Sequence, residues 1–208
     1  MVMPSRERWT AMWRSFGAEE PHRLYDELMA RYAEPHRHYH TVQHLDECLA
    51  LYDEIGALAE HSAEVELALW FHDAIYQPRR SDNEAASADW ARRAALAAGV
   101  GAQAAERMHA LVMATRHDAV PHGRDQEVLV DIDLSILGAP PARFDEYERQ
   151  VRAEYTWVPE FLFRRKRRAI LEAFMARPAI YATAPLGERL EARARANLAR
   201  SLARLRER

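Results

Sequence analysis

Apolar residues return every third or fourth position along most of the chain, the period of a helix with one buried face. Trp9, Met12, Trp13 and Phe16 form a first stripe; Leu24, Leu28 and Tyr32 form a second that ends near Pro35. A third helix is predicted from about Thr41 to Ile55 and a fourth from about Ser62 to Tyr76. The polar stretch QPRRSDN reads as a loop, with Ser81 or Asp82 placed to cap a fifth helix through about Ala98. Periodic segments follow from Ala102 to Thr115, through DQEVLVDIDLSILG, from Arg143 to Tyr155, from Pro159 to Met175 and from Leu186 to Arg206. No segment alternates as a strand does, no repeat recurs, and no linker divides the chain. The expectation is an all-α, single-domain helical bundle of about ten helices.

Composition narrows the class without naming a function. A chain of 208 residues with only seven glycines can bury a substantial core and suits a helical fold. Its net charge of −3 gives no global bias toward nucleic acid or membrane. The single cysteine, Cys48, excludes an internal disulfide framework and fits a reducing compartment. The N-terminal MVMPSRERWTAMW lacks the apolar core of a signal peptide, and no later run approaches the ~20 apolar residues of a membrane span. A cytoplasmic protein without a membrane partner is expected.

The candidate chemistry sits inside the apolar pattern. WFHDAIY, Trp70 to Tyr76, sets His72 and Asp73 in one of the greasiest segments, directly after VELAL. A buried carboxylate needs hydrogen bonds, a counter-charge or a metal. VLVDIDLSIL repeats the problem: Asp133 has Leu129, Val130, Leu134, Ile136 and Leu137 around it at helical spacings, whereas Asp131 neighbours Glu127 and Ser135 and is expected to face outward. HYHTVQH places His40 and His44 four apart, on one helical face. A zinc-protease helix would need glutamate directly after the first histidine, and Thr41 stands there. One divalent cation held by His44, His72, Asp73 and Asp133 answers all of these burials together and leaves positions for water and substrate. The bland alternatives are a hydrogen-bonded core histidine and an aspartate that pairs with arginine or caps a helix. Cys48, one turn from His44, reads as core rather than as ligand or nucleophile.

The ordered set of His, then His-Asp, then a distant Asp resembles the HD superfamily of metal-dependent phosphohydrolases. Within it the chain is most similar to a bacterial branch described only as predicted metal-dependent HD superfamily phosphohydrolases. RHYHTVQHL, WFHDAIY, SDNEAASA, ATRH, DIDLSILG, YERQVRAEY and ARANL carry the resemblance across nearly the whole chain, while the RHD at Arg116 to Asp118 is a decoy. The resemblance implies one HD-type helical domain over 1–208, with a metal-site core at about 36–138 and C-terminal helices at about 141–206 packing on it. It assigns the ligand roles to His44, His72, Asp73 and Asp133, with Asp73 also orienting the attacking water. His117, in ATRH, resembles a site histidine that contacts phosphate or a second metal, against the alternative of a solvated helix end. Arg167 is the member of RRKRR that matches an arginine of the branch.

Other roles stay open at the level of sequence. His40 suits either support of His44 and contact with substrate, or plain packing. Many HD hydrolases keep an acidic residue a few positions after the dipeptide; here Ala74, Ile75 and Tyr76 stand there, which leaves Glu84 as the candidate acid or base. Otherwise Glu84 is a first-turn residue favoured by the helix dipole. Arg79, Arg80 and Arg152 join Arg167 as candidate phosphate clamps. The expected activity is hydrolysis of a small phosphate ester, nucleotide or pyrophosphate-containing compound, with Mn, Fe, Zn, Co, Ni or Mg as the divalent metal. The alternative is a non-catalytic, metal- and nucleotide-binding regulatory module, motivated by the missing acid. A nucleic-acid protein using RRKRR and the arginine-rich tail is disfavoured by Glu188, Glu191 and Glu207 and by the net negative charge.

Overall fold

The structure, a computed structural model, describes residues 4–206. Met1 to Met3 of the N-terminal stretch and Glu207 of the tail lie outside the described residues. The all-α expectation holds: ten α-helices and two short 3-10 turns, with no strand among the described residues. None of the described helices is long and apolar enough to cross a membrane. The chain divides into two compact units, one up to Ile132 and one from Asp133.

The first unit contains α1 (Arg6–Ser15), α2 (Leu24–Tyr32), α3 (Val42–Ile55), α4 (Ser62–Phe71), α5 (Asn83–Ala97) and α6 (Ala102–Ala114), followed by α7 (Gly123–Asp133) as far as Ile132. Its centre is α4, where Val65 and Leu67 through Phe71 are all buried. A helix covered on every side needs neighbours all round, and α1, α3, α5 and α6 supply them. Trp9 packs its ring edge-on at 5.1 Å from Trp70 and 5.5 Å from Trp13. Helix starts follow local chemistry where the side chain is free: Ser5 accepts from the Arg8 N–H at 3.1 Å, and Thr41 from the Gln43 N–H at 3.3 Å. Asp82 occupies the N-cap position of α5 without making the expected cap bond, because Arg80 holds both of its oxygens at 2.8 and 2.7 Å.

The fourth helix stops at Phe71, five residues short of the expected Tyr76, and the reason lies outside its own sequence. Arg37 donates through Nη1 to the Asp73 carbonyl at 2.6 Å and through Nη2 to the Ala74 carbonyl at 3.1 Å. Ser87 of α5 accepts from the Ile75 N–H at 2.9 Å, and Asn83 accepts from the Gln77 N–H at 3.0 Å. Backbone groups that would have continued the helix are thus satisfied by residues remote in sequence, and the chain turns at the His-Asp dipeptide.

The second unit holds a 3-10 turn (Leu134–Gly138), α8 (Pro141–Glu154), α9 (Glu160–Met175) and α10 (Ala184–Arg206). DQEVLVDIDLSILG is therefore not one helix: its last five residues tighten into the 3-10 turn. Side chains of this unit take the turn's carbonyls. Asn197 donates to those of Leu137 and Ala139, both at 2.9 Å, the Tyr181 hydroxyl donates to that of Leu134 at 3.1 Å, and Arg193 donates to that of Gly138. At Gly138 a Cβ would stand 2.7 Å from Leu190 Cβ and 2.9 Å from the Tyr181 hydroxyl, so close approach of α10 requires glycine here.

Candidate metal centre

Two imidazoles face each other where α3 passes the end of α4. His44, in the first turn of α3, and His72, just past the end of α4, are both 2% exposed. Their Nε2 atoms lie 3.0 Å apart. Each ring has its other nitrogen engaged. His72 Nδ1 is 2.7 Å from the Leu69 carbonyl, which can only accept, so that nitrogen carries the proton. His44 Nδ1 is 3.0 Å from the Tyr39 hydroxyl. Such partners orient each imidazole with its Nε2 turned toward the site.

The Asp73 carboxylate closes on the same point, with Oδ2 3.0 Å from His72 Nε2 and 3.5 Å from His44 Nε2. Burial pushes the Asp73 carboxyl up, but the positive charge available at His72, His40 and His44 and the hydrogen bond from His72 outweigh it. The net result holds Asp73 well below the usual carboxylate range, so it stays an anion. Asp133 is the last residue of α7, whose preceding ten residues belong to the first unit, and that helix carries its carboxylate to the histidines. His44, His72, Asp133 and Cys48 each present a ligating atom within 4.8 Å of those of the other three. The donor set of imidazole nitrogens and carboxylate oxygens could hold a metal ion.

The two aspartates of DID differ from the sequence expectation in exposure. Asp131, expected to face outward, is 1% exposed, whereas Asp133 is half-buried. Val128 through Ile132 are buried without interruption, so this part of α7 has no solvent side and the argument from one apolar face does not apply. The structure nonetheless places Asp133, not Asp131, in the cluster.

The remaining candidates divide into those near the cluster and those committed elsewhere. His40 stacks on the Tyr76 ring at 4.0 Å and contributes to the field that keeps Asp73 ionised. Glu84 sits in the first turn of α5, as the helix-dipole reading has it, and makes no hydrogen bond or ion pair among the described residues. His117 follows α6 in the left-handed region, at φ 58°, and is not part of the cluster. The exposed Arg80 is engaged by Asp82 as described above. Arg152 donates to Glu160 at 2.9 Å and to the Tyr155 carbonyl at 2.6 Å, which ties it to the loop after α8. Arg167 is buried against Glu148, with Nε 3.1 Å from Oε1 and Nη2 on the same oxygen, and lies 5.0 Å from the centre of the Tyr147 ring. Burial alone would lower the Arg167 pKa, but Tyr147 and Glu148 raise it further, so the charge is locked in place.

Arg37 is the residue that sequence reasoning passed over. Its side chain is fully covered, and besides the Asp73 and Ala74 carbonyls it donates to the His40 carbonyl at 3.0 Å and to Glu34 at 3.2 Å. The guanidinium lies between the rings of Tyr32 and Tyr76, at 5.3 and 5.5 Å. One fork of donors thus fixes the backbone on both sides of the site. The signal was present as the first letter of RHYHTVQHL, but nothing local identified its partners.

Comparison of the chain with protein-family models, with curated proteins and with solved structures finds no match in any of the three.

Proposed function

We propose that the chain is a metal-dependent phosphohydrolase of the HD type, acting on a small phosphate ester, nucleotide or pyrophosphate-containing compound. The observation that carries this reading is the approach of the Asp73 carboxylate to His44 Nε2 and His72 Nε2, which lie 3.0 Å apart, with Asp133 within 4.8 Å of the two histidines. A divalent cation held by these residues would supply a water nucleophile at neutral pH and a Lewis acid for a phosphoryl oxygen. The protein's own groups set the conditions for that chemistry. Leu69 and Tyr39 hold the two imidazoles in the ligating orientation, Arg37 holds the backbone at His40, Asp73 and Ala74, and the ionised Asp73 accepts a hydrogen bond that orients the nucleophile. His40, stacked on Tyr76 with its ring 6.2 Å from that of His44, is a further imidazole for contact with substrate.

A second reading, a binding module that turns nothing over, is motivated by Ala74, Ile75 and Tyr76 standing where an acid is expected, and both readings must reckon with the arginines. Arg80, Arg152 and Arg167 are each engaged by a carboxylate, of Asp82, Glu160 and Glu148. A phosphate would have to displace those partners. Phosphate release from a panel of nucleotides, sugar phosphates and pyrophosphates, measured with manganese, cobalt or nickel, separates the two. Release by wild type that His72→Ala abolishes supports the hydrolase. Phosphate compounds that stabilise the metal-loaded protein against heat without being cleaved support the module.

A further inference from the structure

The net charge of −3 is unevenly divided along the chain. The unit from Asp133 carries 16 lysines and arginines against 10 aspartates and glutamates, a net of +6, whereas the chain up to Ile132 carries 13 against 22, a net of −9. Within the basic unit, α9 buries only Arg167 and Leu171 of its 16 residues. Four of the seven large apolar side chains that are exposed among the described residues fall on this helix or just before it: Trp157, Phe161, Leu162 and Ile170, with Phe161 70% exposed. The five charges of RRKRR divide by direction. Arg164 donates to the carbonyls of Arg204 and Leu205 at the end of α10, at 3.1 and 2.6 Å, and Arg167 donates to Glu148, so these two fasten the helix. Arg165 and Lys166 are exposed and make no hydrogen bond or ion pair among the described residues. The two acids of α9 are engaged elsewhere: Glu160 takes Arg152 at 2.9 Å, and Glu172 lies 3.6 Å from both Arg168 and Arg206.

Leu162, Lys166, Ala169, Ile170 and Ala173 recur at helical spacing and are all exposed, with Arg165 beside them, so one outward face mixes uncompensated cations with apolar side chains. We propose that this face of α9 docks on the surface of an anionic lipid bilayer, with Arg165 and Lys166 at the headgroups and Phe161, Leu162 and Ile170 at the boundary with the acyl chains. The charge selects this occupant. A second copy of the same face would set cation against cation. A nucleic acid would gain from the Phe161 ring but nothing from Leu162 and Ile170. A bilayer surface takes up both kinds of side chain. The proposal departs from the expectation of no membrane partner, which rested on the absence of a span; a helix lying in the interface needs none. It is independent of the metal-centre reading.

Sedimentation of the full-length protein with lipid vesicles tests this. Wild type is expected to bind vesicles of equal parts phosphatidylglycerol and phosphatidylcholine, to ignore vesicles of phosphatidylcholine alone, and to be released as salt rises. Arg165→Gln combined with Lys166→Gln is expected to weaken binding about 30-fold, the loss of two basic contacts at a charged lipid surface. Phe161→Ser combined with Ile170→Ser is expected to weaken it at least about 10-fold. Thermal unfolding checks that each variant is folded, and the wild-type comparison of the two vesicle types stands whether or not a variant folds. No preference for the anionic vesicles, or binding that both double variants retain, would overturn the proposal. In protein that ignores vesicles, self-association lost with Phe161→Ser and Ile170→Ser would overturn it in favour of a second copy, and salt-sensitive binding of an oligonucleotide would overturn it in favour of nucleic acid.

Discussion

Replacing Arg37 by alanine measures how firmly the protein holds the backbone of its candidate site. The substitution removes four charge-assisted hydrogen bonds and leaves the carbonyls of His40, Asp73 and Ala74 without this partner. Each buried carbonyl left unsatisfied costs about 1 kcal/mol or more, and Arg37 also loses its place between two tyrosine rings. The contributions overlap, so a total of about 4 kcal/mol is the reasonable expectation, within the range for breaking a buried charged network. At about 2–4 °C per kcal/mol, the midpoint of thermal unfolding should fall by about 8–16 °C. Arg37→Lys keeps the charge but not the planar fork and should recover about half of the loss. The assay is urea denaturation with thermal unfolding as a cross-check, performed beside cobalt titration, in which Arg37→Ala should bind at least about 10-fold more weakly. An alanine variant within about 1 kcal/mol of wild type would refute the claim that this side chain holds the backbone of the site.

Other expectations concern separate parts of the molecule. Asp125 accepts from the N–H groups of Glu60 and His61 at 2.7 and 3.0 Å and pairs with the His61 ring at 2.8 Å. Burial raises its pKa, but those partners prevail and hold it below the usual value, so its stabilisation is full above pH ~4 and is lost as pH falls through the lower folded-state value. Asp125→Asn should therefore cost about 1–2 kcal/mol at pH 7, with the difference from wild type vanishing in acid denaturation series; a constant difference would contradict the assignment. Asp133→Asn should lose most bound metal while Asp131→Asn retains it, as metal analysis after dialysis would show; the reverse would place the wrong aspartate in the cluster. Glu64, 5% exposed, receives Arg107 on both oxygens at 2.5 and 2.8 Å. Glu64→Ala should cost about 2–3 kcal/mol in urea denaturation, and adding Arg107→Ala should cost little more, because the pair is already broken.

Helix positions were legible because each apolar stripe depends on neighbours three and four residues away, as at Trp9, Met12 and Trp13. The end of α4 was not, because the carbonyls of Asp73 and Ala74 just beyond it are taken by Arg37 and the N–H groups of Ile75 and Gln77 by Ser87 and Asn83, residues up to tens of positions distant. His44, His72 and Asp73 stood out because charge inside an apolar segment demands a partner. The burial of Asp131 was hidden by the assumption that α7 keeps a wet face. The arginines were the least legible of all. A guanidinium suits phosphate and carboxylate equally, and only the fold reveals that Asp82, Glu160 and Glu148 are within reach of Arg80, Arg152 and Arg167.

Elemental analysis of metal in the protein, after loading with each divalent ion and removal of the excess, tests the central claim most directly. Near-stoichiometric retention by wild type, abolished in His72→Ala and in Asp73→Ala, is the result predicted by a cation between His44, His72 and the carboxylates. Wild type that retains no ion under any loading condition would mean that the two facing imidazoles and Asp73 form only a buried hydrogen-bonded cluster, and the metal centre would be contradicted.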